Sequence, residues 1–379
     1  MLEWLIIGGG IHGTAHALHF IRKHRLSPAQ IGILDPHPHL LGRWKHMTAN
    51  VGMSHLRSPG AHHLHDDPFH LRTFTQTTAL QYPPPIALYE RPALSLFNTH
   101  SDSLITRFEL EKAHIHGMAT GMERIAGGWR IHTDHAPIDA KQVLLAMGAS
   151  NFLNIPAWAT PDMPVHHVLD EKFNRADIKN GQWVVVGGGI SGAQTALALA
   201  ENGVDVTLIT RYPIRIHDFD SDPCWVTRLC LEEFYATDDL SKRRFLIKQA
   251  RYRGSVPYDI ADALRDAIGM GMIRHVITDI IHADHAPFRL ITTDGREFVA
   301  DGAILATGFT TSPPISAWLA DAITRHDLPL APDGYPVVDK GLCWSDGLYV
   351  TGALAELEIG ATARNIIGAR LALERLWRR

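Results

Sequence analysis

The sequence predicts an α/β fold built twice from one strand–helix–strand plan, with the second copy set inside the first. Three observations carry this. "LIIGGGIHG" begins at Leu5 and "VVVGGGISG" at Val184, each an apolar run leading into G-x-G-x-x-G. Each loop is followed by a helical stretch and a second apolar strand, "IGILD" in one copy and "VDVTLITR" in the other. Further on, "WRIHTDHAPIDAKQVLLAMGA" (129–149) parallels "FRLITTDGREFVADGAILATGF" (288–309), each an alternating hairpin, an apolar strand and Ala-x-Gly. The same order of parts twice in one chain is the mark of an internal repeat.

The elements follow from these patterns in order. Leu5–Ile7 reads as a buried parallel strand and Thr14–Lys23 as the helix after the first loop. Gly8, Gly10 and Gly13 supply the tight turn, the close backbone approach to a pyrophosphate and the close helix–strand packing that this loop requires. The diphosphate then rests on the free N–H groups and positive dipole of the helix N-terminus. Asp35 ends the next strand, 22 positions beyond Gly13, where a carboxylate accepts from ribose hydroxyls and repels a 2′-phosphate. In the second copy Trp183–Val186 is the strand, Gly187, Gly189 and Gly192 the loop, and Gln194–Asn202 the helix. Arg211 stands where the first copy has Asp35, so this loop favours a 2′-phosphate through a charge-assisted bond, with Arg215 beside it. A solvated cation at a strand end is the other reading of Arg211. The expected division is 1–165 and 304–379 for the first domain and 166–303 for the second. Together these define a fold of two Rossmann-like dinucleotide-binding domains.

Composition sets bounds on partners. The chain has 379 residues, 45% hydrophobic and 20% charged, enough to bury a sizeable core in two or three units. A net charge of −4 invites neither nucleic acid nor an anionic membrane. No run of 18 apolar residues occurs, and the first strand starts too early for a signal peptide, so a cytoplasmic location is expected. The cysteines at 224, 230 and 343 form no C-x-x-C, which predicts small buried apolar residues rather than a dithiol pair, a zinc site or a disulfide framework.

The ordered loops resemble those of flavoproteins with two dinucleotide-binding domains, in which the first loop holds FAD and the second NAD(P)H. The tail "DGLYVTGALAELEIGATARNIIGARLALERL" is similar to their C-terminal flavin segment, with Gly352-Ala353 where the family usually has Gly-Asp. "LATGF" (305–309) resembles the A-T-G motif of class B flavin monooxygenases, and "LLGRWKHM" (40–47) their Gly-x-Trp stretch. "MSHLRSPGAHHL" (53–64) lies where the N-hydroxylating ornithine and lysine branch carries flavin- and substrate-facing residues. The F-x-G-x-x-x-H motif of flavin-containing and Baeyer–Villiger enzymes is absent before Val184.

The resemblance implies an FAD contact set of Gly8, Gly10, Ile11, His12, Gly13, Asp35, Arg43, Trp44, Met118, Ala146, Gly148, Gly352, Ala353 and Ala361. For NADPH it implies Gly187, Gly189, Ile190, Ser191, Gly192, Arg211, Ala306, Thr307 and Gly308. The implied activity is that of an NADPH-oxidising monooxygenase working through a C4a-(hydro)peroxyflavin on a small nucleophilic substrate with O2, with N-hydroxylation the expected reaction. A flavin reductase passing electrons to a quinone, small disulfide or protein, and a non-catalytic NADP(H)-sensing module, are the alternatives. A homo-oligomer is compatible with either.

Two insertions remain. About 75 residues separate Asp35 from the strand near His114–Met118, with prolines at 59, 68, 83–85 and 92 that predict much loop. Eight of the 24 histidines fall between His37 and His70; His62, His63 and His65 beside Asp66 and Asp67 suggest metal ligation only weakly, and no metal is expected. Asn50, His55 and Arg57 are the candidates for the flavin face, Arg57 foremost as a fixed cation that stabilises reduced flavin. A buried structural salt bridge is the equal alternative for Arg57. The second insertion, Tyr212 to about Met272, predicts helices capped by Ser221, around Thr237–Ser241 and around Pro257. Its Lys242, Arg243, Arg244, Lys248, Arg251 and Arg253 are read either as a cradle for phosphates or an acidic substrate, or as a solvated helix face.

Overall fold

The computed structural model describes residues 1–87 and 89–377. The chain opens with β1 (Leu2–Ile7), α1 (Ile11–His24) and β2 (Ile31–Asp35), then runs through α2 (Gly42–Asn50), α3 (His70–Thr77) and α4 (Leu94–Arg107). The strands β3 (His114–His116), β4 (Ala119–Ile125), β5 (Gly128–Thr133) and β6 (Ile138–Leu145) follow. Next come β7 (Val165–His167), β8 (Gln182–Val186), α5 (Ile190–Glu201), β9 (Asp205–Thr210) and β10 (Arg215–Ile216). Helices α6 (Arg228–Ala236) and α7 (Leu240–Ala250), strand β11 (Ser255–Val256) and helix α8 (Tyr258–Gly269) fill the second insertion. Strands β12 (Ile273–Ile277), β13 (Ile280–Asp284), β14 (Arg289–Thr292), β15 (Glu297–Val299) and β16 (Gly302–Leu305) precede α9 (Ala317–Arg325). The chain closes with β17 (Cys343–Ser345), β18 (Leu348–Val350), α10 (Glu356–Ile359) and α11 (Ile366–Leu376).

Two parallel sheets organise these parts. The first has the order β17-β18-β6-β1-β2-β3, with the β4–β5 hairpin attached to β6. Its central strands are apolar on both faces, as strands covered by helices must be, and Leu5, Ile6, Ile33, Val143 and Leu144 are fully buried. The second sheet has the order β12-β9-β8-β16-β7, the same plan with β8 and β16 in the places of β1 and β6. The internal repeat is therefore a repeat of sheet topology. One difference stands out: β6 joins hairpin arm and core strand in one element, whereas the second copy splits them between β15 and β16 in separate sheets. The expected division points at 165/166 and 303/304 fall inside β7 and β16, both strands of the second sheet.

The first sheet draws β18 from the far end of the chain, pairing Leu348, Tyr349 and Val350 with Val143, Leu144 and Leu145. Its core accordingly mixes both ends: Trp4, Leu18 and Phe20 share one cluster with Leu348, Leu354 and Ala372.

The prolines at 59, 68, 83–85 and 92 all stand outside helix and strand, as expected of a segment that is much loop, with α2, α3 and α4 between and beside those stretches. Local expectations differ from the structure in two places. Asp239, within the expected Thr237–Ser241, caps α7 and Pro257 is the N-cap residue of α8, but Thr227 caps α6 and Asp222, not Ser221, caps the 3-10 turn Pro223–Val226. Cys224 and Cys230 are joined as a disulfide, their Cα atoms 5.3 Å apart. A spacing of six matches no common thiol motif, so nothing in the sequence pattern signalled the pair.

The glycine loops pack in matching ways. A Cβ on Gly8 would lie 2.5 Å from the Ala146 carbonyl oxygen, and one on Gly187 would lie 2.5 Å from that of Ala306. Both glycines have positive φ, +111° and +135°. A Cβ on Gly13 would overlap the Gly8 carbonyl, and one on Gly192 the Gly187 carbonyl. Gly10, by contrast, faces open space: a Cβ there would meet no heavy atom within 4 Å. Gly13→Ala should therefore lower the unfolding free energy in urea by about 1–3 kcal/mol through overpacking. Gly10→Ala should leave it within about 1 kcal/mol of the parent chain. Equal losses at both positions would contradict this account of the loop.

Candidate functional site

Each loop ends a buried strand and starts a helix, so its backbone N–H groups point out of the sheet edge. The first turn of α1 offers the N–H groups of Ile11, His12 and Gly13, and that of α5 those of Ile190, Ser191 and Gly192, which no intrahelical acceptor can satisfy. Neither helix has a side-chain cap or an acidic residue in its first turn to compete for an anion. Gly148 and Gly308, the last residues of the paired Ala-x-Gly motifs, have φ of +67° and +75° and open space beside them. Room for a ligand is thus left on the same side of both sheets.

At the first loop Asp35 is buried and held by three bonds. Its Oδ2 accepts from the Gly9 N–H at 2.6 Å, and its Oδ1 accepts from the His37 N–H and approaches His37 Nδ1 at 2.9 and 2.8 Å. His37 Nε2 lies 3.2 Å from Glu171, which also pairs with Arg43. Asp35 is therefore a fixed acceptor with a lone pair of Oδ2 to spare. His37 escaped the sequence reading, although "DPH" directly after the strand was the available signal.

His12 does more than lend a backbone N–H. Its Nε2 lies 3.1 Å from the Asn365 carbonyl and its Nδ1 3.0 Å from Thr351 Oγ1. A carbonyl only accepts, so Nε2 carries the proton and Nδ1 accepts from the threonine hydroxyl. Burial among its neighbours lowers the imidazole to about 4 and keeps it neutral. The first loop is thereby tied to Thr351, beyond β18, and to Asn365, the N-cap residue of α11. Gly352, with φ +64°, lies against this ring, and Ala353 and Ala361 are buried in the same segment. The N-terminus of α11 is thereby held beside the first turn of α1, which brings a second positive helix end to the first loop.

The other expected first-loop residues are placed unevenly. Arg43 donates to the Ser150 and Leu169 carbonyls at 2.9 and 3.1 Å, so it anchors the crossover to the second sheet. Trp44 donates to Asn98 at 3.0 Å and packs on Phe97. Met118 is 55% exposed, and its backbone N–H and C=O are engaged by Asp134, at 2.8 and 3.1 Å.

The second loop is surrounded by cations. Arg211 and Arg215 are exposed and have no hydrogen-bond or ion-pair partner among the described residues, and Arg253 is likewise unpaired. Gly254 packs on Gly189, 3.4 Å from its Cβ position, and Arg215 approaches Gly254 in turn. This brings Arg215 and Arg253 to the loop that Arg211 borders. Thr307 donates to the Asn154 carbonyl, which pins the Ala306–Gly308 turn to the crossover.

Arg243, Arg244 and Arg251 of the basic group are committed elsewhere, while Lys242 and Lys248 are exposed as a solvated face would have them. Glu356, fully buried, receives Arg244, Arg251 and Arg364, and together they hold it at about 2 despite its burial. Arg243 pairs with Glu358 and donates to the Thr237 and Leu357 carbonyls. The solvated-face reading fails for these arginines because carboxylates of α10 are buried against them.

Asn50, His55 and Arg57 do not form one catalytic face. Asn50 donates to the Phe173 carbonyl at 2.6 Å and accepts from the Arg175 N–H. His55 approaches the Pro84 carbonyl at 3.0 Å. Arg57 donates to the carbonyls of His217, Asp218, Phe219 and Ser255 and to the Ser255 hydroxyl, between 2.6 and 3.3 Å. Its charge is spent on backbone, so it clamps segment 217–219 rather than presenting a cation to a ligand. The salt-bridge alternative was also inexact, since carbonyls supply the acceptors. Arg57→Ala should cost about 3 kcal/mol of unfolding free energy, because several buried carbonyls lose their donor. A loss under about 1 kcal/mol in urea titrations would return Arg57 to the ligand-facing role.

The histidines of the first insertion gather without forming a metal site: among the described residues, no group of three or more His, Cys, Asp or Glu is placed to hold an ion. His65 stacks on His70 at 3.9 Å, and His70 Nδ1 meets His100 Nε2 at 2.8 Å. Burial holds His63 at about 3, His65 at about 4 and His100 at about 2, with Arg370 reinforcing the effect at His63, Arg22 reinforcing and Asp66 and Asp67 opposing it at His65, and the neighbouring histidines reinforcing it at His100. His16 is held at about 3 by burial in α1. Folded values below the unfolded 6.5 mean that this stability is complete above pH 6.5 and is lost as pH falls toward about 3. The unfolding free energy should drop by at least about 2 kcal/mol per unit between pH 6 and 5, with 1.4 kcal/mol per unit as the ceiling for one histidine. A flat profile over that interval would show that these rings are solvated.

Residues 5–150 match the FAD-NAD(P)-binding family, and residues 97–242 match the pyridine nucleotide-disulphide oxidoreductase family. Among curated proteins, the methylenetetrahydrofolate–tRNA-(uracil-5-)-methyltransferase TrmFO of Nitratidesulfovibrio vulgaris is 30% identical over 155 residues, 37% of this chain and 31% of that protein. TrmFO of Sinorhizobium medicae is 27% identical over 205 residues, 50% of this chain and 42% of that protein. The aligned parts are thus a third to two fifths of these relatives. Solved structures align along the whole chain. The cadaverine monooxygenase DfoA of Erwinia amylovora, bound to FAD, has a TM-score of 0.75 at 15% identity, covering 100% of this chain and 95% of that one. The ornithine N-hydroxylase KtzI of Kutzneria sp. 744 gives 0.75 at 14%, with coverages of 100% and 99%. L-lysine 6-monooxygenase of Pseudomonas syringae gives 0.71 at 17%, covering both chains completely. At such identities the likeness establishes the fold: two Rossmann-like domains of the FAD/NAD(P)-binding kind, one inserted in the other, as in N-hydroxylating flavin monooxygenases.

Proposed function

We propose that this chain is an FAD-dependent, NADPH-oxidising monooxygenase that N-hydroxylates a small nucleophilic substrate with O2. The observation that carries the reading is the chemical contrast between two loops of one plan. A buried, fixed carboxylate ends β2 at the first, and unpaired arginines border the second. Asp35 suits a plain ribose and disfavours a 2′-phosphate, while Arg211, with Arg215 and Arg253, suits a nucleotide that carries one. Whole-chain likeness to a cadaverine monooxygenase, an ornithine N-hydroxylase and a lysine monooxygenase supports the choice of reaction.

The residues fit these groups. Open space beside Gly10 and Gly148 and the free N–H groups of α1 suit the FAD diphosphate, with Asp35 at the adenosine ribose. The N-terminus of α11, fixed by His12 through Asn365, provides a positive end for the electron-rich side of a flavin ring. Flavin, when bound, supplies hydride acceptance and oxygen activation. The chain's own work is to bind, orient and exclude water. His12, neutral and fully bonded, moves no proton and sets geometry alone.

Coenzyme choice gives a direct check. Arg211→Ala should raise the NADPH concentration needed for half-maximal turnover by about 10- to 100-fold, as befits a bond of about 1.5–3 kcal/mol, and leave NADH nearly untouched. Equal losses with both coenzymes would make Arg211 structural. The reaction is tested by supplying purified, FAD-loaded protein with NADPH and O2 across a panel of amines, amino acids, thioethers and ketones. Hydroxylamine formed in step with NADPH consumed is the expected result. Stoichiometric hydrogen peroxide with every compound would favour the second reading, a flavin reductase, which the match of residues 97–242 to the pyridine nucleotide-disulphide oxidoreductases supports.

A further inference from the structure

We propose that Cys224–Cys230 is a thiol-responsive disulfide whose reduction loosens the turn 360–365 ahead of α11. The inference rests on the fold and does not depend on the reaction proposed above.

The pair lies in a short stretch that touches this turn at both of its ends. Four residues before Cys224, Asp220 Oδ1 accepts from Asn365 Nδ2 at 3.0 Å. Directly after Cys224, the Trp225 carbonyl accepts from Thr362 Oγ1 at 3.4 Å. The Trp225 ring lies over Gly360, 3.0 Å from its Cβ position, so that a side chain there would crowd the indole. Gly360 adopts φ +98°, and Arg251 holds the next carbonyl, that of Ala361, at 3.0 and 3.1 Å. The turn that sets the N-cap of α11 is therefore pressed from one side by the segment carrying Cys224.

The disulfide is the one covalent cross-link on that segment, beside the Thr362 bond and the burial of Trp225 in a cluster with Leu231, Phe234 and Leu357. Cys224 sits in the 3-10 turn Pro223–Val226, while Cys230 is the third residue of α6, so the bond staples the turn to the first turn of a nine-residue helix. The local ties are the Cys224 N–H to Asp222 at 2.8 Å, and Thr227 to the Cys224 carbonyl at 2.9 Å. Trp225 also packs on Phe234 of α6, with ring centroids 5.3 Å apart. Opening the disulfide frees the turn to shift relative to α6 and takes Trp225 out of its fixed position over Gly360.

Both sulfurs belong to partly exposed residues, and the neighbouring Leu229 is 81% exposed, so a small thiol can reach the bond. The thiolate of such a thiol attacks Cys224 Sγ and the S–S bond breaks. Cys230 leaves as a thiolate, which its place in the first turn of α6 stabilises. A second thiol attacks the mixed disulfide, releasing Cys224 and a small-molecule disulfide. Two external thiols are oxidised, their two electrons reduce the pair, and their two protons end on Cys224 and Cys230. Cys343, in β17, takes no part.

The test uses the full chain, air-oxidised and then treated with reduced glutathione, with alkylation and mass spectrometry to follow the thiols. Cys224 and Cys230 should be protected from alkylation before treatment and labelled after it. Hydrogen exchange of peptides covering 360–365 should then quicken at least about threefold, while peptides from β1 and β8 keep their protection. Cys224→Ser and Cys230→Ser should show the fast exchange without glutathione, and Cys343→Ser should respond like the parent. Labelling of Cys224 and Cys230 before treatment, unchanged exchange at 360–365 after reduction, or an equal loss of protection along the whole chain would each overturn the proposal.

Discussion

The approach of one backbone carbonyl to one glycine sets the form of both halves of the molecule. Ala146 O stands where Gly8 would place a side chain, and Ala306 O stands where Gly187 would place one. Each contact joins a central strand to its neighbour at the point where the chain turns into a helix. Only glycine with positive φ admits it, and a second glycine, Gly13 or Gly192, lets the helix settle onto the loop. From that packing follow the helix N-termini and the open space at Gly148 and Gly308, each at the C-terminal ends of the parallel strands of its own sheet. The fold then has two anion-binding ends of like geometry, and what separates them is the residue ending the next strand.

This explains why so much of the fold was legible in the sequence. Glycine spacing, apolar strands and the Ala-x-Gly motifs are local signals of a local packing problem, and β1, α1, β2, β8, α5 and β9 lie where those signals put them. The contrast of Asp35 and Arg211 was legible for the same reason. Contacts between distant parts of the chain were not. Nothing near residue 12 announces that His12 will reach Thr351 and Asn365, because the partners come from the chain's other end. Arg57 looked like a ligand-facing cation in a stretch resembling a flavin-facing segment. Its acceptors are carbonyls 160 to 198 residues away, which carry no side-chain signature.

The long insertions were legible in part, again on physical grounds. Prolines at 59, 68, 83–85 and 92 mark breaks; α3 forms between 68 and 83, and α4 starts directly after the last of them. The basic residues of α7 look solvated by spacing alone. Burial of Glu356 reverses that, since a carboxylate out of water must be matched by cations, and Arg244, Arg251 and Arg364 supply them. The cost of burying this cluster is met where the C-terminal segment docks, which places α10 and the turn before α11 under electrostatic as well as apolar control.

That docking bears on how the two halves work together. Segment 217–220 is gripped by Arg57 from the first insertion and by Asn365 from the N-cap of α11. The residues next to β11 belong to the same layer: Tyr252 donates to the Asp220 carbonyl and stacks on His217, while Gly254 lies on the second glycine loop. A displacement of 217–220 therefore cannot occur without disturbing both the helix end at the first loop and the cover of the second. On the proposed function, in which the two nucleotides exchange electrons, the sites need a fixed separation more than they need a charged group between them. The arginine expected to act on a ligand is thus better used where it is found, with its N–H groups holding backbone that spans both sites.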